Sequence, residues 1–440
     1  MKKIISLLLT ILLLLLLSQP AAASEAGHSP NMRVHSEIVY LFNLDEQTLV
    51  YQRGADTPAY PASLAKIMTT ILAIENTPDL GTIVTYPQYV QDYLFNYQTR
   101  YSVSVSLGGL RAGQQMPMYD LLYGMMLQSA NEIAMIVAHH VGGGQEAFVQ
   151  MMNDRARQLG ATNTNFTNAT GLPDPQMVTT ARDMAIIVQH AMSLPGFMDI
   201  ASTARHLDWS TTILMQVYGN QHFYPQLRGI KTGTTPQAGR NFISTASRDG
   251  FTYLLILMGA PSHDPETGLF LPSNYAFIDA ANLYNWAFDT FRVLPVVERG
   301  MRIHEIPLRL SSQQDFLPLE TADRVSALIA RGINVADELV WVYDVPESIN
   351  APVRRGTPIG YVTLMLHDQE IGRVALLAAE NVDSSRMLVF MDQLRGALGS
   401  FWFRFAVIFI VLLITMYILL LLHLNRNKRR RSEYKRRRRI

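Results

Sequence analysis

Two lysines are the first residues to ask about chemically. Between residues 24 and 400 the chain carries only Lys66 and Lys231, beside 22 arginines. Where a fixed cation is enough this sequence uses arginine, so the lysines are candidates for something a guanidinium cannot do. A lysine can lose its proton near neutral pH once desolvated. Lys66 lies three residues after a hydroxyl, in Ser63-Leu64-Ala65-Lys66, and Lys231 opens Lys231-Thr232-Gly233. A serine hydroxyl is a poor nucleophile near pH 7 and needs a base to take its proton. An amine on the next helical turn can be that base if burial and a second cation depress its pKa, and Lys231 is the candidate second cation. Ser129-Ala130-Asn131 adds another hydroxyl and an amide between the two lysine motifs.

Each motif alone is a weak signal. Ser432-Glu433-Tyr434-Lys435 repeats the first spacing, Ser29-Pro30-Asn31 and Ser348-Ile349-Asn350 repeat the second, and K-T-G occurs once. Ser63 could also be a helix N-cap, Asn131 a loop residue and Lys231 an exposed strand charge. Context separates the readings. Pro61-Ala62-Ser63 starts a helix whose buried stripe is Leu64, Ile67, Met68, Ile71 and Leu72, at i, i+3, i+4, i+7, i+8. Ser63, Lys66 and Thr70 form a second stripe, which makes the hydroxyl and the amine neighbours. S-x-N interrupts a helical stretch: 120–128, then 132–141 stopped by Gly142, then 145–159 stopped by Gly160. Thr180 and Asp183 predict a capped helix to about Ser193. K-T-G falls on a strand, followed by strands at 242–247 and 251–258 joined through Asp249-Gly250, a hairpin signal. Strands at 38–42 and 48–51 precede the active helix, and a helix over 276–291 presents Phe277, Leu283, Tyr284 and Phe288 to cover a sheet.

Residues 24–295 therefore read as α+β, helices packed on a small antiparallel sheet. From 296 to 386 the pattern predicts a separate β-rich domain, with strands at 340–343, 359–366 and 372–377 and a helix-like insert over Ala322–Ala330. A connector, 387–404, leads to an uncharged run from Phe405 to Leu424, long enough to cross a bilayer. Residues 425–440 carry ten Lys/Arg against one Glu, a flank retained on the cytoplasmic side. The juxtamembrane position accounts for that charge better than nucleic-acid binding does. At the other end, Lys2 and Lys3, an apolar run to Leu17 and small residues to Ser24 read as a signal peptide, 1–23, cut near Ala23. The competing reading, an uncleaved anchor, is disfavoured by the shortness of the run. Residues 24–400 hold 24 basic and 35 acidic side chains, a net charge of −11 that makes them a poor polyanion binder. The chain has no cysteine, which excludes disulfides and a thiol nucleophile. No HExxH or other metal-ligand spacing occurs, so neither metal nor cofactor is expected.

In these motifs and their order, the chain resembles the low-molecular-mass penicillin-binding proteins of the serine D-alanyl-D-alanine carboxypeptidase family. The resemblance rests on Pro61 to Thr70, on Asp120-Leu121-Leu122-Tyr123-Gly124 leading to Ser129-Ala130-Asn131-Glu132, and on Phe166, Asn168, Gly171-Leu172 and Thr179 to Asp183. Gly229 to Thr235 and Ala238-Gly239 continue it, and Ala351 to Gly356 with Gly360 resemble the β-rich stalk. The resemblance implies the catalytic fold shared with serine β-lactamases and a mechanism. Ser63 would attack the carbonyl between two terminal D-alanines, Lys66 would take its proton, and Ser129 would pass a proton to the leaving D-alanine. Asn131 would bind the peptide, Lys231 and Thr232 the free carboxylate, and Gly233 would allow close approach. The N–H groups of Ser63 and Thr234 would form the oxyanion hole. Partners would be a peptidoglycan stem peptide, β-lactams as covalent inhibitors, and the membrane. Thr234, where the family often has an aromatic or His, and Arg240-Asn241 depart from the pattern beside the substrate strand. A β-lactamase would need a deacylating E-x-x-L-N carboxylate, absent between Asn131 and Lys231. A β-lactam-sensing receptor without turnover is the alternative function, though such receptors place their membrane helices before the sensor.

Overall fold

The computed structural model describes residues 29–101, 105, 107–366 and 369–437; the expected signal peptide lies outside them. The chain forms two compact units. The first runs to Val293 and takes in Leu328–Ile333, and the second comprises Leu294–Ala327 and the chain from Asn334 onward.

In the first unit β1 (Ile38–Asn43) and β2 (Thr48–Arg53) form the leading hairpin. A 3-10 turn over Ala62–Ala65 runs into α1 (Lys66–Asn76). Short strands β3 (Ile83–Thr85) and β4 (Gln115–Pro117) pair across α2 (Gln88–Tyr101). Then come α3 (Met118–Leu127), α4 (Asn131–Gly142), α5 (Gln145–Leu159), α6 (Ala181–Ser193), the short α7 (Phe197–Ala201) and a small hairpin, β5 (Arg205–His206) with β6 (Trp209–Ser210). The chain returns through β7 (Leu227–Thr235), β8 (Gly239–Arg248) and β9 (Phe251–Ala260) to α8 (Tyr275–Thr290).

The five long strands form one sheet in the order β2-β1-β9-β8-β7, antiparallel throughout. Strand periodicity sends alternate side chains to opposite faces. Leu254, Ile256 and Met258 of β9 pack into the cluster with Leu64, Ile67 and Met68, while Tyr253, Leu255 and Leu257 pack against Phe277, Leu283 and Tyr284 of α8. Each such fully buried side chain contributes roughly 1.5–3 kcal/mol. The sheet is thus clamped between two helical layers, leaving β7 at its edge. Local chemistry explains the ends. Asp249 and Gly250 both have positive φ (53° and 85°), the conformation of a type I′ turn. Thr180 caps α6 by accepting the Asp183 N–H at 3.1 Å. α4 runs one residue past the expected stop because Gly143, at φ 72°, is the left-handed cap.

From Phe291 the chain continues as β10 (Phe291–Val297), β11 (Arg302–Arg309), β12 (Phe316–Thr321), β13 (Val325–Ala330), α9 (Val335–Glu338), β14 (Leu339–Asp344), β15 (Ile349–Asn350), β16 (Pro358–Leu366) and β17 (Gln369–Ala378). Six of these strands form a sheet in the order β14-β16-β17-β12-β11-β15, over a core of Leu317, Leu319, Val362, Leu364 and Leu376. The helix-like insert expected over Ala322–Ala330 is instead the strand β13, paired with β10. Its alanines suggested a helix, but Ala327 and Ile329 are buried at period two, and the strand pairing overrides propensity. The expected connector contains α10 (Arg386–Gly399), and α11 (Phe401–Arg437) follows. Its span Phe401–Arg426, whose most apolar 18-residue window has a mean hydropathy of 3.1, is long and apolar enough to cross a membrane.

Candidate active site

Ser63 lies inside the 3-10 turn rather than at a helix N-cap: Pro61 precedes the turn, and neither Pro61 nor Ala65 makes a side-chain cap. Its half-buried hydroxyl lies 3.1 Å from Lys66 Nζ. Lys66 is wholly buried, and Nζ also donates to Asn131 Oδ1 at 2.9 Å and to the Thr170 carbonyl at 2.5 Å. A neutral amine has two N–H donors and one lone pair. With the two carbonyl oxygens taking the donors, the lone pair is left for the Ser63 O–H.

Three other elements converge on this pair. Asn131 opens α4, and Ser129 occupies the turn from α3, buried and at φ 59°, a backbone region that non-glycine residues seldom adopt. The loop carrying Thr170 is organised by Asn168, whose Oδ1 accepts N–H groups from Thr170 (3.1 Å), Gly171 (2.8 Å) and Leu172 (3.2 Å) and the Thr170 hydroxyl at 2.7 Å. Gly171, at φ 81°, lies so close to the turn carrying Ser63 that an added Cβ would stand 1.9 Å from the Ala62 carbonyl oxygen. On the opposite side, edge strand β7 brings Gly233 against the same turn: a Cβ there would stand 3.1 Å from the Ser63 nitrogen. A side chain there would force the turn back by a few tenths of an ångström, so glycine suits the third residue of K-T-G.

Lys231 is also wholly buried on β7, donating to the Thr232 carbonyl at 3.0 Å. The Thr232 hydroxyl is held by Thr212 Oγ1 at 2.6 Å, and Thr234 is exposed at the strand's outer end. Burial pushes the Lys66 ammonium well below the ordinary lysine range, the Lys231 charge lowers it further, and Glu132 opposes both. Burial alone brings Lys231 down to about 7. Glu132, buried beside Asn131, is raised by desolvation and held back by backbone N–H groups, including that of Gly108 at 2.5 Å. Among the described residues no cluster of His, Cys, Asp or Glu could hold a metal ion.

Of the residues that depart from the family pattern, Arg240 and Asn241 brace this geometry. Asn241 Nδ2 donates to the carbonyls of Tyr60 (2.8 Å) and Pro61 (3.2 Å), while its Oδ1 accepts the Gly259 N–H at 3.0 Å. Asn241 therefore ties the turn before Ser63 to the sheet. Arg240, buried, donates to the carbonyls of Ser273 and Leu271 and lies 4.4 Å from the Phe270 ring, which fastens the 262–273 loop. Glu132, Asn168 and Gly171 are marked in the sequence only through the resemblance. Thr170, Thr212 and the bracing by Asn241 had no signal of their own, because their contacts span loops remote in sequence.

The D-alanyl-D-alanine carboxypeptidase family profile matches residues 23–262. The chain belongs to this family. A second profile, the C-terminal domain of penicillin-binding protein 5, matches residues 291–384. The family makes the chain a serine-type DD-carboxypeptidase, a hydrolase. Among relatives, D-alanyl-D-alanine carboxypeptidase DacF of Bacillus subtilis is 24% identical over 401 residues, covering 90% of this chain and 98% of the relative. DacA of Haemophilus influenzae is 26% identical over 374 residues, covering 80% and 86%. Of solved structures, penicillin binding protein 5 from Haemophilus influenzae superposes with a TM-score of 0.61 at 24% identity, over 81% of this chain and all of that one. PBP3 from Streptococcus pneumoniae gives 0.59 at 19% identity over 80% of this chain. These likenesses establish the penicillin-binding-protein fold.

Proposed function

We propose that the chain is a membrane-anchored, extracytoplasmic DD-carboxypeptidase that removes the terminal D-alanine of peptidoglycan stem peptides through an acyl-enzyme on Ser63. The observation that carries this reading is the bonding of Lys66: two carbonyl acceptors and, 3.1 Å away, the Ser63 hydroxyl. Neutral Lys66 takes the Ser63 proton as Oγ attacks the penultimate carbonyl. The N–H groups of Ser63 and Thr234 stabilise the oxyanion, where losing one donor typically costs about 10²–10³ in rate. Ser129 passes a proton to the departing amine, and Asn131 binds the peptide. Lys231 and Thr232 hold the terminal carboxylate, and Gly233 lets that strand come close. Water releases the shortened peptide, and a β-lactam would acylate the same serine.

The net −11 of residues 24–400, the apolar span and the basic tail support a single-pass topology with the catalytic domain outside and residues 425–440 in the cytoplasm. The β-rich domain then acts as a spacer. The test is D-alanine release by the detergent-solubilised full chain from a peptide ending in D-Ala-D-Ala, beside Ser63→Ala. Release that persists in Ser63→Ala would remove the nucleophile assignment. A folded protein that a fluorescent penicillin labels but that releases no D-alanine would mean binding without turnover.

A further inference from the structure

Strand β7 meets the helical wall of the site through a short segment that no motif marks. After the β5–β6 hairpin the chain passes through Thr211 and Thr212 to a 3-10 turn over Leu214–Gln216. The segment is fastened at several points. Trp209 Nε1 donates to the Gly108 carbonyl at 2.8 Å, and His206 Nε2 lies 2.5 Å from Asp120 Oδ1 of α3. The Thr212 N–H donates to the carbonyl of Leu127, the last residue of α3, at 3.1 Å, and the Thr211 hydroxyl accepts the Ile213 N–H at 3.1 Å. The Thr212 backbone is therefore tied to the helix that ends two residues before Ser129. Its side chain reaches the other wall, where Thr212 Oγ1 stands 2.6 Å from Thr232 Oγ1.

Counting protons gives this pair a direction. Each threonine hydroxyl has one O–H donor and two acceptor lone pairs. Two hydroxyls in contact use one O–H between them, and among the described residues neither oxygen has a further hydrogen-bond partner. One O–H is thus left over, on Thr212 if Thr232 donates and on Thr232 if Thr212 donates. A carboxylate offers only acceptor oxygens, so Thr232 can bind one in the second arrangement alone. Donation to a charged acceptor polarises the hydroxyl and strengthens the bond it receives. Lys231 then supplies charge, and the hydroxyl pair supplies direction. We propose that Thr212 is a positioning residue: it donates to Thr232 and so turns the Thr232 O–H toward the terminal carboxylate of the substrate, which Thr212 itself does not touch. The proposal rests on the carboxypeptidase reading above and deepens it.

The test is a double-mutant cycle in the full chain in detergent: Thr212→Val, Thr232→Val and both together. Valine keeps the shape and removes the hydroxyl. The readouts are kcat and KM for D-alanine release from a peptide ending in D-Ala-D-Ala, and the rate of fluorescent-penicillin labelling, since a penicillin also carries a carboxylate. Thr212→Val alone should lower kcat/KM by about two- to ten-fold, the contribution of one neutral hydrogen bond. The loss should fall on KM, because the carboxylate is bound in the ground state and the transition state alike. Thr212→Ser returns the donor and should recover the wild-type KM. In the Thr232→Val background, Thr212→Val should cost nothing further, because the hydroxyl it steers is already gone. Equal losses in both backgrounds would mean that Thr212 acts on the fold and not through Thr232, and would overturn the proposal. Wild-type kinetics in Thr212→Val, or no recovery in Thr212→Ser, would overturn it too. Thr212→Ala repeats the cycle should the valine variant fail to fold. A wild type that turns over while the cycle shows no coupling fails this proposal alone. Absence of both release and labelling in the wild type fails the carboxypeptidase reading with it.

Discussion

Gly171→Ala should disable the nucleophile without touching a reacting group. The new Cβ would stand 1.9 Å from the Ala62 carbonyl oxygen and 2.9 Å from the Ser63 nitrogen. Reaching an ordinary contact of 3.4 Å requires the Ala62–Ser63 backbone to retreat by about 1.5 Å (3.4 less 1.9). That turn has little room to move. Gly233 abuts it from β7, and Asn241 holds the carbonyls of Tyr60 and Pro61. Left-handed backbone at a non-glycine residue costs roughly 1–2 kcal/mol, and overpacking adds about 1–3 kcal/mol. At about 2–4 °C per kcal/mol for a unit of this size, the melting temperature should fall by roughly 5–15 °C. Because a 1 Å misplacement can cost about 10²-fold in rate, labelling by a fluorescent penicillin should slow by about that factor. Gly160→Ala is the control: its φ of 93° imposes the same backbone strain, yet a Cβ there meets nothing within 4 Å. It should lose only the strain energy and keep the wild-type rate. If Gly171→Ala melts within about 2 °C of wild type and labels at a comparable rate, the Gly171–Ala62 contact does not fix Ser63, and the reasoning is refuted.

Three further outcomes are expected. Lys66→Arg should fold but show no acylation at any pH, because a guanidinium has five donors and no lone pair; acylation by that variant would remove Lys66 as the base. Lys231→Met should be inactive yet more stable at pH 6. The folded pKa near 7 lies below the ordinary 10.5, so the unfolded chain binds more protons between these values and wild-type stability climbs with pH across that window. The gain at pH 6 has a ceiling of about 5 kcal/mol (3.5 pK differences at 1.36 each) and should fade near pH 10; urea unfolding at both pH values reads it. Asn241→Ala should destabilise by roughly 1–3 kcal/mol and slow labelling, because two carbonyls and one N–H lose their partner. Asn241→Asp, which keeps only the Gly259 acceptor, should slow labelling as much, and unchanged rates in both variants would show that the tie to Tyr60 and Pro61 is dispensable.

The parts legible in the sequence are those whose cause is local. Asp249-Gly250 announces its turn because two successive left-handed residues need such side chains, and Thr180 with Asp183 announces a helix start because the cap bond spans three residues. The stripe Leu64, Ile67, Met68, Ile71 and Leu72 announces a buried helix face. Helix α2 escaped notice because only Val90 and Leu94 are deeply buried in a segment rich in exposed tyrosine. Residues 322–330 misled because alanine favours helix locally while pairing with β10 decides the outcome. At the site, Ser63, Lys66, Ser129, Asn131 and the K-T-G strand could be named from motifs. The Thr170 carbonyl could not, since a backbone acceptor leaves no mark in residue type.

That carbonyl bears on how the proposed base would work. When Lys66 is neutral, its two N–H groups are matched by Asn131 Oδ1 and the Thr170 oxygen, and its lone pair is left for Ser63. When Lys66 is protonated, the same three oxygens match its three donors. Taking up the proton therefore requires no heavy atom to move, and a dipolar environment already arranged for the charged state spares the transition state its reorganisation. Lys231 donates instead to the Thr232 carbonyl, so its charge lowers the amine's pKa through space and leaves all three acceptors to Lys66. Glu132 tempers the effect, raising the amine's pKa against burial and the Lys231 charge. If Lys66 is the base, as proposed, the opposed charges of Lys231 and Glu132 set its basicity from two sides: one favours the neutral amine, the other favours its taking up a proton.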